Sequence, residues 1–399
     1  MVIGNGQSHQ LIITLGFIFM PKKYILFLST NYIWGGSEVL WIESARQLDK
    51  EGYVVRAGLQ YDYELVKRFI KQPRQYIDLR NRLQPLSLTQ RVAAKLKLAT
   101  YTQKDSLHES FKQRKPDLVI ISQGNNIDGA HFMRDCTRFG IPFITITHLV
   151  TEGFWPSLDD DLADELRTVY QQARCNYFVS ANTLRLHEKL LGEKLSNGKV
   201  VYNPFTKVIP PGMSFPLVEN NSYKVALIGR LETFHKGYDL LIDVIKSEKW
   251  RTRPVHFSLF GKGPHLRLIQ RMIEQHGITN FTLHPHIDDI SVIWKTHHLL
   301  LMPSRIEGQS LTLIEAMRFG RAAVVTNVGG TAELIEEGVN GFIADYPNAE
   351  CIDAAMERAW QQRATWEQLG LNAGNAIAQK HPADALSAFN RQIISLLAG

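Results

Sequence analysis

Residues 299–317 of the chain read LLLMPSRIEGQSLTLIEAM, and this stretch carries the clearest structural pattern of the second half. The run at 298–302 predicts a buried strand, and a helix is expected to begin near Ser310. The inward face of that helix should carry Leu311, Ile314 and Met317. Because the first main-chain N–H groups of a helix have no partner inside it, the turn predicts an anion site suited to phosphate.

Two carboxylates belong to the same turn. Glu307 lies in the loop before the helix, directed at whatever group is attached to the phosphate. Glu315 lies just over one turn into the helix, where a carboxylate can bind both hydroxyls of a ribose. Structural roles stay open for both residues, as a loop acid that complements the helix dipole and as a helix-surface acid.

Two cations come after another predicted strand, at 224–229. Arg230 comes directly after this strand, and Lys236 lies six residues later, just before a helical stretch. Such a pair at the carboxyl end of a strand can neutralise a diphosphate leaving group without a metal ion. Taken alone, the segment is equally consistent with an exposed basic turn.

Short, continuous apolar runs alternate with amphipathic stretches along the chain. Examples are YILFLS at 24–29, LVIIS at 118–122, VALIG at 225–229 and AVVT at 323–326. Such runs are typical of strands in parallel sheets that helices cover on both faces. The predicted fold class is therefore α/β, with doubly wound, Rossmann-like sheets.

The pattern restarts after a proline-rich stretch. Residues 203–223 hold four prolines and show no helical period, which predicts a linker between two domains. The expected division is an extension with little structure at 1–19, an N-terminal α/β domain at 20–205, a C-terminal α/β domain at 206–378, and a final helix at 379–399.

A glycine turn comes after the first predicted strand, at 24–29. Gly35 and Gly36 lie at the transition from this strand to a helix. Two adjacent glycines let main-chain N–H groups approach a ligand. A tight turn capped by Ser37 is the plain structural alternative.

His148 closes the predicted strand at 142–147, again at a carboxyl edge. On its own, such a histidine is more often a surface residue than a ligand contact. The acidic run at 159–161 resembles a metal motif of some sugar transferases. A helix capped by Ser157, whose dipole these acids complement, explains the run better.

Composition excludes several classes of protein. Of 399 residues, 44% are hydrophobic and 21% are charged, which is ordinary for a globular protein and excludes wholesale disorder and collagen. The three scattered cysteines favour a reducing compartment and predict neither a disulfide scaffold nor a zinc site. The apolar run at 11–20 is too short to span a bilayer. A cytoplasmic protein is expected.

The excess of basic residues is concentrated in one segment. Residues 67–115 carry 13 Lys or Arg and three Asp or Glu, against a net charge of +6 for the whole chain. The spacing at 91–98 predicts an amphipathic basic helix that contacts an anionic partner, either a membrane surface or a lipid diphosphate. A solvated basic face is the alternative. A nucleic-acid partner is not expected, because no recognised binding motif accompanies the charge.

Together these segments resemble retaining glycosyltransferases of the GT-B fold, in particular glycosyltransferase family 4 (group 1). The family's motifs occur in order, as GRL…HKGYDLLI at 229–242, FGKGP at 260–264, the stretch quoted first, VVTNVGG at 324–330 and EEGVNGF at 336–342. Glu307 and Glu315 reproduce its E-x7-E motif. The N-terminal match is thinner, with the turn at 35–38, His148 and the Asn-Pro pair at 203–204.

The resemblance implies two Rossmann-like domains that face each other across a cleft, with the last helix crossing back. It also implies roles for single residues. Arg230 and Lys236 would hold the donor diphosphate, Glu315 the ribose, and Glu307 the transferred sugar. The N–H groups near Gly308, Gln309, Ser310 and Leu311 would bind phosphate and sugar, Gly35 and Gly36 would approach the diphosphate, and His148 would contact a sugar hydroxyl.

Three features depart from the family pattern. The interval between Arg230 and Lys236 is one residue longer than in many members. Gln309 replaces an aromatic residue that is common there. His284 and His286, separated by a proline, stand where a glycine turn beside the base is usual, so the donor base stays open.

The function predicted is transfer of a sugar from a UDP- or GDP-sugar to an acceptor hydroxyl, with retained anomeric configuration and without a metal or cofactor. Cell-surface polysaccharide, lipopolysaccharide or glycolipid synthesis is the expected setting, with a saccharide or lipid-linked acceptor. The inner face of the cytoplasmic membrane is the expected place. The alternative is a GT-B protein without transfer activity, such as a nucleotide-sugar epimerase or a binding partner.

Overall fold

The structure is a computed structural model that describes residues 22–31, 35–60, 76–79, 106–154, 158–210 and 213–398. The predicted extension at 1–19 and most of the basic segment at 67–115 lie outside these residues.

The N-terminal domain is built on a parallel sheet whose strands are ordered β3-β2-β1-β4-β5-β6-β7. Its strands are β1 Tyr24–Ser29, β2 Val54–Leu59, β3 Tyr76–Asp78, β4 Leu118–Gln123, β5 Phe143–Thr147, β6 Cys175–Phe178 and β7 Gly198–Val200. All six residues of β1 and all six of β4 are buried, because helices cover both faces of the sheet.

Helices on the two faces of this sheet form two separate apolar clusters. The described helices are α1 Gly36–Lys50, α2 Ser106–Gln113, α3 Ala130–Phe139, α4 Asp160–Gln172 and α5 Ala181–Leu191. The helix α4 begins at Asp160, and the side chain of Asp159 caps it by accepting a hydrogen bond from the N–H of Leu162 at 2.9 Å. Ser157, the predicted cap, lies outside the described residues.

The C-terminal domain repeats this topology with a sheet ordered β10-β9-β8-β11-β12-β13, also parallel throughout. Its strands are β8 Tyr223–Ile228, β9 Val255–Phe260, β10 Phe281–His284, β11 Leu299–Met302, β12 Ala322–Thr326 and β13 Gly341–Ala344. The predicted class of two doubly wound α/β domains is confirmed. In both sheets the order reverses beside the first strand, and ligands of such sheets bind at the carboxyl ends there.

Short helices connect the strands of this second sheet, and two long helices cover it. They are α6 Thr233–Lys236, α7 Tyr238–Ile245, α8 Glu248–Thr252, α9 Leu266–Gln275, α10 Ser291–Trp294, α11 Leu311–Arg318, α12 Thr331–Leu334, α13 Ala349–Gln361 and α14 Trp366–Lys380. Short 3₁₀ helices occur at Glu152–Phe154, Glu219–Asn221 and Arg363–Thr365.

The helix α15, Ala385–Ala398, packs on the N-terminal sheet although it comes after the C-terminal domain in the chain. Phe389 and Ile393 are buried in the same cluster as Phe27 of β1. The hydroxyl of Tyr177 donates to Oε1 of Gln392 at 2.9 Å. The chain therefore crosses between the domains twice, once after β7 and once before α15.

Candidate active site

A cavity of about 370 Å³ lies where the carboxyl edges of the two sheets face each other. The N-terminal domain lines it with Asn31, Gly35, Gly36, Ser37, Gly124, Asn125, His148 and Leu149. The C-terminal domain contributes Gly229, Arg230, His235, Lys236 and residues 306–312, and the segment that connects the domains contributes Asn203. A larger cavity, about 600 Å³, lies along the linker near Lys224, Lys295 and His298. The smaller cavity is the candidate site, because in both sheets the carboxyl ends of the strands at which the strand order reverses open into it.

The N-termini of two helices, one from each domain, meet in this cavity. Gly35 precedes α1 without a side-chain cap, and Ser310 precedes α11, accepting from the N–H of Leu313 at 3.4 Å. A methyl group added at Gly36 would lie 2.8 Å from Cδ1 of Leu311. Leu311, which was predicted to be buried, is partly buried, since it packs against an apolar cluster of the C-terminal domain and also lines the cleft opposite this glycine. Two sets of free N–H groups therefore point at one space.

Lys236 and Glu307 form an ion pair inside the cavity. Nζ of Lys236 lies 2.7 Å from Oε1 of Glu307, which also accepts from Oγ of Ser304 at 2.8 Å. The side chain of Glu307 is 9% exposed and that of Lys236 is 24% exposed. Arg230 lines the same cavity, and its guanidinium makes no hydrogen bond with the described part of the chain. The predicted cations and the first predicted carboxylate thus share one space.

The turn at Lys236 is stabilised by the left-handed main chain of Gly237 and by hydrogen bonds between Arg305 and Asp239. Gly237 has a φ of 65°, and a methyl group there would lie 1.9 Å from the carbonyl oxygen of Pro303. Arg305 makes two hydrogen bonds with Asp239, at 2.7 and 2.6 Å. The interval between Arg230 and Lys236 ends in the short helix α6, where the carbonyl oxygen of His235 accepts from the N–H groups of Arg305 and Ile306 at 2.8 and 3.2 Å.

The main chain at Gly308 touches the opposite domain. A methyl group at Gly308 would lie 1.9 Å from the carbonyl oxygen of His148. The carbonyl oxygen of Gly308 accepts from the N–H of Gly330 at 2.6 Å, and Gly330 itself abuts Ser180, which caps α5. Glu333 adds a cap across the interface, since its carboxylate accepts from the N–H of Asn182 at 2.7 Å. Close contacts to the main chain thus position the predicted glycine turn at 329–330.

His148 is buried at the end of β5, contrary to the surface location expected for a lone histidine, with 6% of its surface exposed. Its Nε2 lies 3.0 Å from Oγ of Ser122, whereas its Nδ1 has no hydrogen-bond partner in the described part of the chain. Burial lowers the pKa of His148 to about 3, so the imidazole is neutral at physiological pH. A neutral ring with one unpaired nitrogen suits contact with a hydroxyl group.

Glu315 lies one turn inside α11, outside the residues that line the cavity. It is half-buried and makes no hydrogen bond with the described residues. Burial raises the pKa of Glu315 to about 7, an effect that the positive charge of Lys207 opposes. An unpaired carboxyl group near the start of α11 is suited to the ribose role that the resemblance implies.

The two histidines predicted beside the base lie apart from the cavity lining. His284 ends β10, and its ring stacks on Phe260 with centroids 4.5 Å apart. His286 is exposed, with Nε2 3.1 Å from Asp288. Both lie at the carboxyl end of a strand two places from β8, so they belong to the same edge of the sheet.

Residues 222–362, most of the C-terminal domain, match the family Glycosyl transferases group 1. Most of the C-terminal domain thus carries the sequence pattern of the group 1 glycosyltransferases. The resemblance carried by its motifs is confirmed at this level, and the narrower assignment to family 4 stays a prediction.

Relatives of the chain agree with the match. An uncharacterized glycosyltransferase of Haemophilus influenzae is 23% identical over 335 residues, which cover 82% of this chain and 88% of that protein. An uncharacterized glycosyltransferase of Methanocaldococcus jannaschii is 28% identical over 161 residues. That second match covers 40% of this chain and 42% of the relative, so the two chains correspond over less than half of the relative's length.

Solved structures show the same GT-B fold over almost the whole chain. The Anabaena protein HepE in complex with UDP has a TM-score of 0.70 at 19% identity, covering 94% of this chain and 99% of that one. The lipopolysaccharide outer core galactosyltransferase WaaB, in its apo form, has a TM-score of 0.66 at 18% identity, with 93% and 99% covered. The predicted GT-B arrangement of two Rossmann-like domains is confirmed.

Several residues that line the cavity were not predicted from the sequence. Gly124 and Asn125 come directly after the buried strand β4, so the rule that singled out His148 would have found them. Asn31 was missed because its role depends on a buried acid. Glu38, 0% exposed, accepts hydrogen bonds from Asn31 and, at 2.8 Å, from Nε1 of Trp41.

Metal-binding clusters and membrane-spanning helices do not occur in the described part of the chain. No group of three or more His, Cys, Asp or Glu side chains there is placed to hold a metal ion. No helix among the same residues is long and apolar enough to cross a membrane. Of the basic segment, residues 76–79 and 106–115 are described, and Lys112 pairs with Glu109 there at 3.0 Å.

Proposed function

We propose that this protein moves a sugar from a nucleoside-diphosphate sugar to an acceptor hydroxyl, with retention and without a metal ion. One observation carries the proposal. The N-termini of α1 and α11, together with Arg230 and Lys236, converge on a single cavity that also receives Glu307. Preorganised positive groups lower the barrier of glycosyl transfer because negative charge grows on the leaving diphosphate.

The proposed step balances without a further reactant. The bond between the anomeric carbon and the diphosphate oxygen breaks, and a bond to the acceptor oxygen forms on the same face of the sugar. The acceptor proton passes to the leaving diphosphate. Glu307 orients the sugar rather than attacking it, because Oε1 is already engaged by Lys236 and Ser304.

A uridine or guanosine diphosphate sugar is the proposed donor. Support for uridine comes from HepE, which was solved with UDP. In this chain the ribose would meet Glu315, and the base would lie toward the ends of β9 and β10, near His284 and His286. The stacked pair of His284 and Phe260 gives this edge a flat aromatic wall suited to a base.

The proposed acceptor is a saccharide of a cell-surface polysaccharide, lipopolysaccharide or glycolipid, used at the inner face of the cytoplasmic membrane. Support comes from WaaB, a lipopolysaccharide galactosyltransferase of the same fold. The neutral groups Asn31, Asn125 and His148 line the acceptor side, and such groups recognise sugar hydroxyls. Equal sedimentation of the protein with anionic and neutral liposomes would argue against the electrostatic membrane contact.

A donor screen tests the proposal. UDP- and GDP-sugars are compared for thermal stabilisation, and a donor at a hundred times its Kd should add about 2.7 kcal/mol to stability. The stabilising donor is then incubated with saccharide acceptors in the presence of a metal chelator, and the anomeric configuration of the product is read by NMR. An inverted product would refute retention. Epimerised donor without transfer would establish the epimerase alternative instead.

A further inference from the structure

The two chain segments that cross between the domains contact each other beside the C-terminal end of α11. The rings of Tyr202, after β7, and of His381, before α15, have centroids 5.4 Å apart. His381 is completely buried, and its carbonyl oxygen accepts a hydrogen bond from Arg318. The guanidinium of Arg318 also lies over the ring of Phe205, 5.7 Å from its centroid. The C-terminal end of α11 is therefore fixed to both crossings.

The N-terminal end of the same helix is tied to the first crossing. Oε1 of Gln309 accepts a hydrogen bond from the main-chain N–H of Asn203 at 3.0 Å. Both residues are buried, with 8% and 3% of their surfaces exposed. Gln309 thus turns its side chain toward the crossing, while its main chain belongs to the loop that lines the cavity. Unlike an aromatic residue, Gln309 can accept this hydrogen bond from Asn203.

The helix between these two attachments is short and stiff. It has eight residues, so it spans about 12 Å. A displacement of the loop at 308–311 must move Oε1 of Gln309, and the buried N–H of Asn203 loses its partner unless it moves with the loop. A buried donor without a partner is costly, so the two segments are expected to move together.

We propose that Gln309 is a positioning residue that couples occupancy of the donor phosphate site to the first interdomain crossing. The inference rests on the proposed function, since the ligand that moves the loop is the donor diphosphate. A ligand that binds one arrangement of the loop better than another shifts the crossing by the same differential free energy. Gln309 acts through Asn203 and is not itself a catalytic residue.

Amide hydrogen exchange at residues 201–205 reads this coupling directly, with UDP as the probe. In the wild-type enzyme, saturation with UDP should slow exchange at Asn203 about tenfold, within the range of typical coupling energies. Gln309→Met has similar length and lacks the acceptor, so this protection should fall to about twofold or less. Its kcat should fall about tenfold while its Kd for UDP changes less than about threefold.

Two further variants separate coupling from general damage. Gln309→Glu keeps an acceptor oxygen and should retain the UDP-dependent protection, although its added negative charge raises KM. Gln368→Met makes the same substitution on the exposed face of α14, where Gln368 contacts Asn372 at 3.1 Å, and should behave as wild type. Undiminished protection and kcat in Gln309→Met would overturn the coupling, as would wild-type enzyme that binds UDP without any protection at 201–205. Wild-type enzyme that binds no nucleotide at all would instead refute the proposed function.

Discussion

Nζ of Lys236 lies 2.7 Å from Oε1 of Glu307, so the cation expected to hold the donor diphosphate is paired with the carboxylate expected to orient the sugar. The pair joins two segments 71 residues apart in the chain. The Lys236 ammonium group has three N–H donors, so it can bind Glu307 and a phosphate oxygen at the same time. The ion pair can therefore position the sugar and the diphosphate together.

Lys236→Met should lower kcat/KM about 10²- to 10³-fold, as the loss of one preorganised donor does at other anionic transition states. Steady-state rates with the donor found by the screen measure this. Glu307→Gln keeps the shape and removes the charge, and the double variant should lose much less than the product of the two single losses. Strictly multiplicative losses would show that the ion pair does not act as a unit.

Gly36→Ala should widen the cleft, since its methyl group would lie 2.8 Å from Cδ1 of Leu311. Overpacking of this kind costs about 1–3 kcal/mol, which should appear as weaker donor binding. Adding Leu311→Ala to this variant should restore part of the lost donor binding, because the group that clashes with the new methyl is the end of a flexible side chain.

Gly308→Ala provides the contrast, because its methyl group would meet the carbonyl oxygen of His148 at 1.9 Å. A clash with a main-chain atom cannot be relieved by shortening a side chain, so no substitution at Leu311 should restore donor binding in this variant. Titration calorimetry on the two glycine variants, each with and without Leu311→Ala, measures both effects. Equal rescue of the two glycine variants would contradict the predicted difference.

Donor binding should weaken as the pH falls through about 7, where Glu315 takes up a proton. The protonated group accepts fewer hydrogen bonds from a ribose diol, so the Kd for UDP should rise at pH 6. Lys207→Met removes the positive charge that opposes the pKa shift, so the loss should begin at higher pH. Glu315→Gln should bind weakly at every pH, and a pH profile for UDP that matches wild type would exclude this carboxyl group.

Glu38 should make the fold more stable as the pH decreases from 7 toward 4.5. Burial raises the pKa of Glu38 to about 7, from 4.5 for an ordinary glutamate, so the folded state binds a proton more tightly than the unfolded state. The contribution is complete below pH 4.5 and is lost as the pH rises through 7, amounting to about 3 kcal/mol.

Denaturant unfolding at pH 5, 6, 7 and 8 measures the effect of Glu38, with Glu38→Gln as the comparison. The unfolding free energy of wild type minus that of the variant should be more positive at pH 5 than at pH 8. A difference independent of pH would show that Glu38 has an ordinary pKa.

Strand positions and the carboxyl-edge residues could be predicted because buried parallel strands are continuous apolar runs. Arg230, Glu307 and His148 each come within a few residues of the end of such a run, which places them at the carboxyl edge of a sheet. The pairing of Lys236 with Glu307 could not be predicted, since it depends on the turn at Gly237. Leu311 was assigned to the core because helical periodicity cannot show that a glycine of the other domain faces it.

The order of synthesis adds a consequence of the position of α15. Phe389 and Ile393 complete an apolar cluster of the N-terminal domain, yet the ribosome makes them after the entire C-terminal domain. The N-terminal domain is therefore translated first, but the face of its sheet under α15 can be covered only after the C-terminal domain has been made. A fragment truncated before Ala385 should consequently need a chaperone or aggregate.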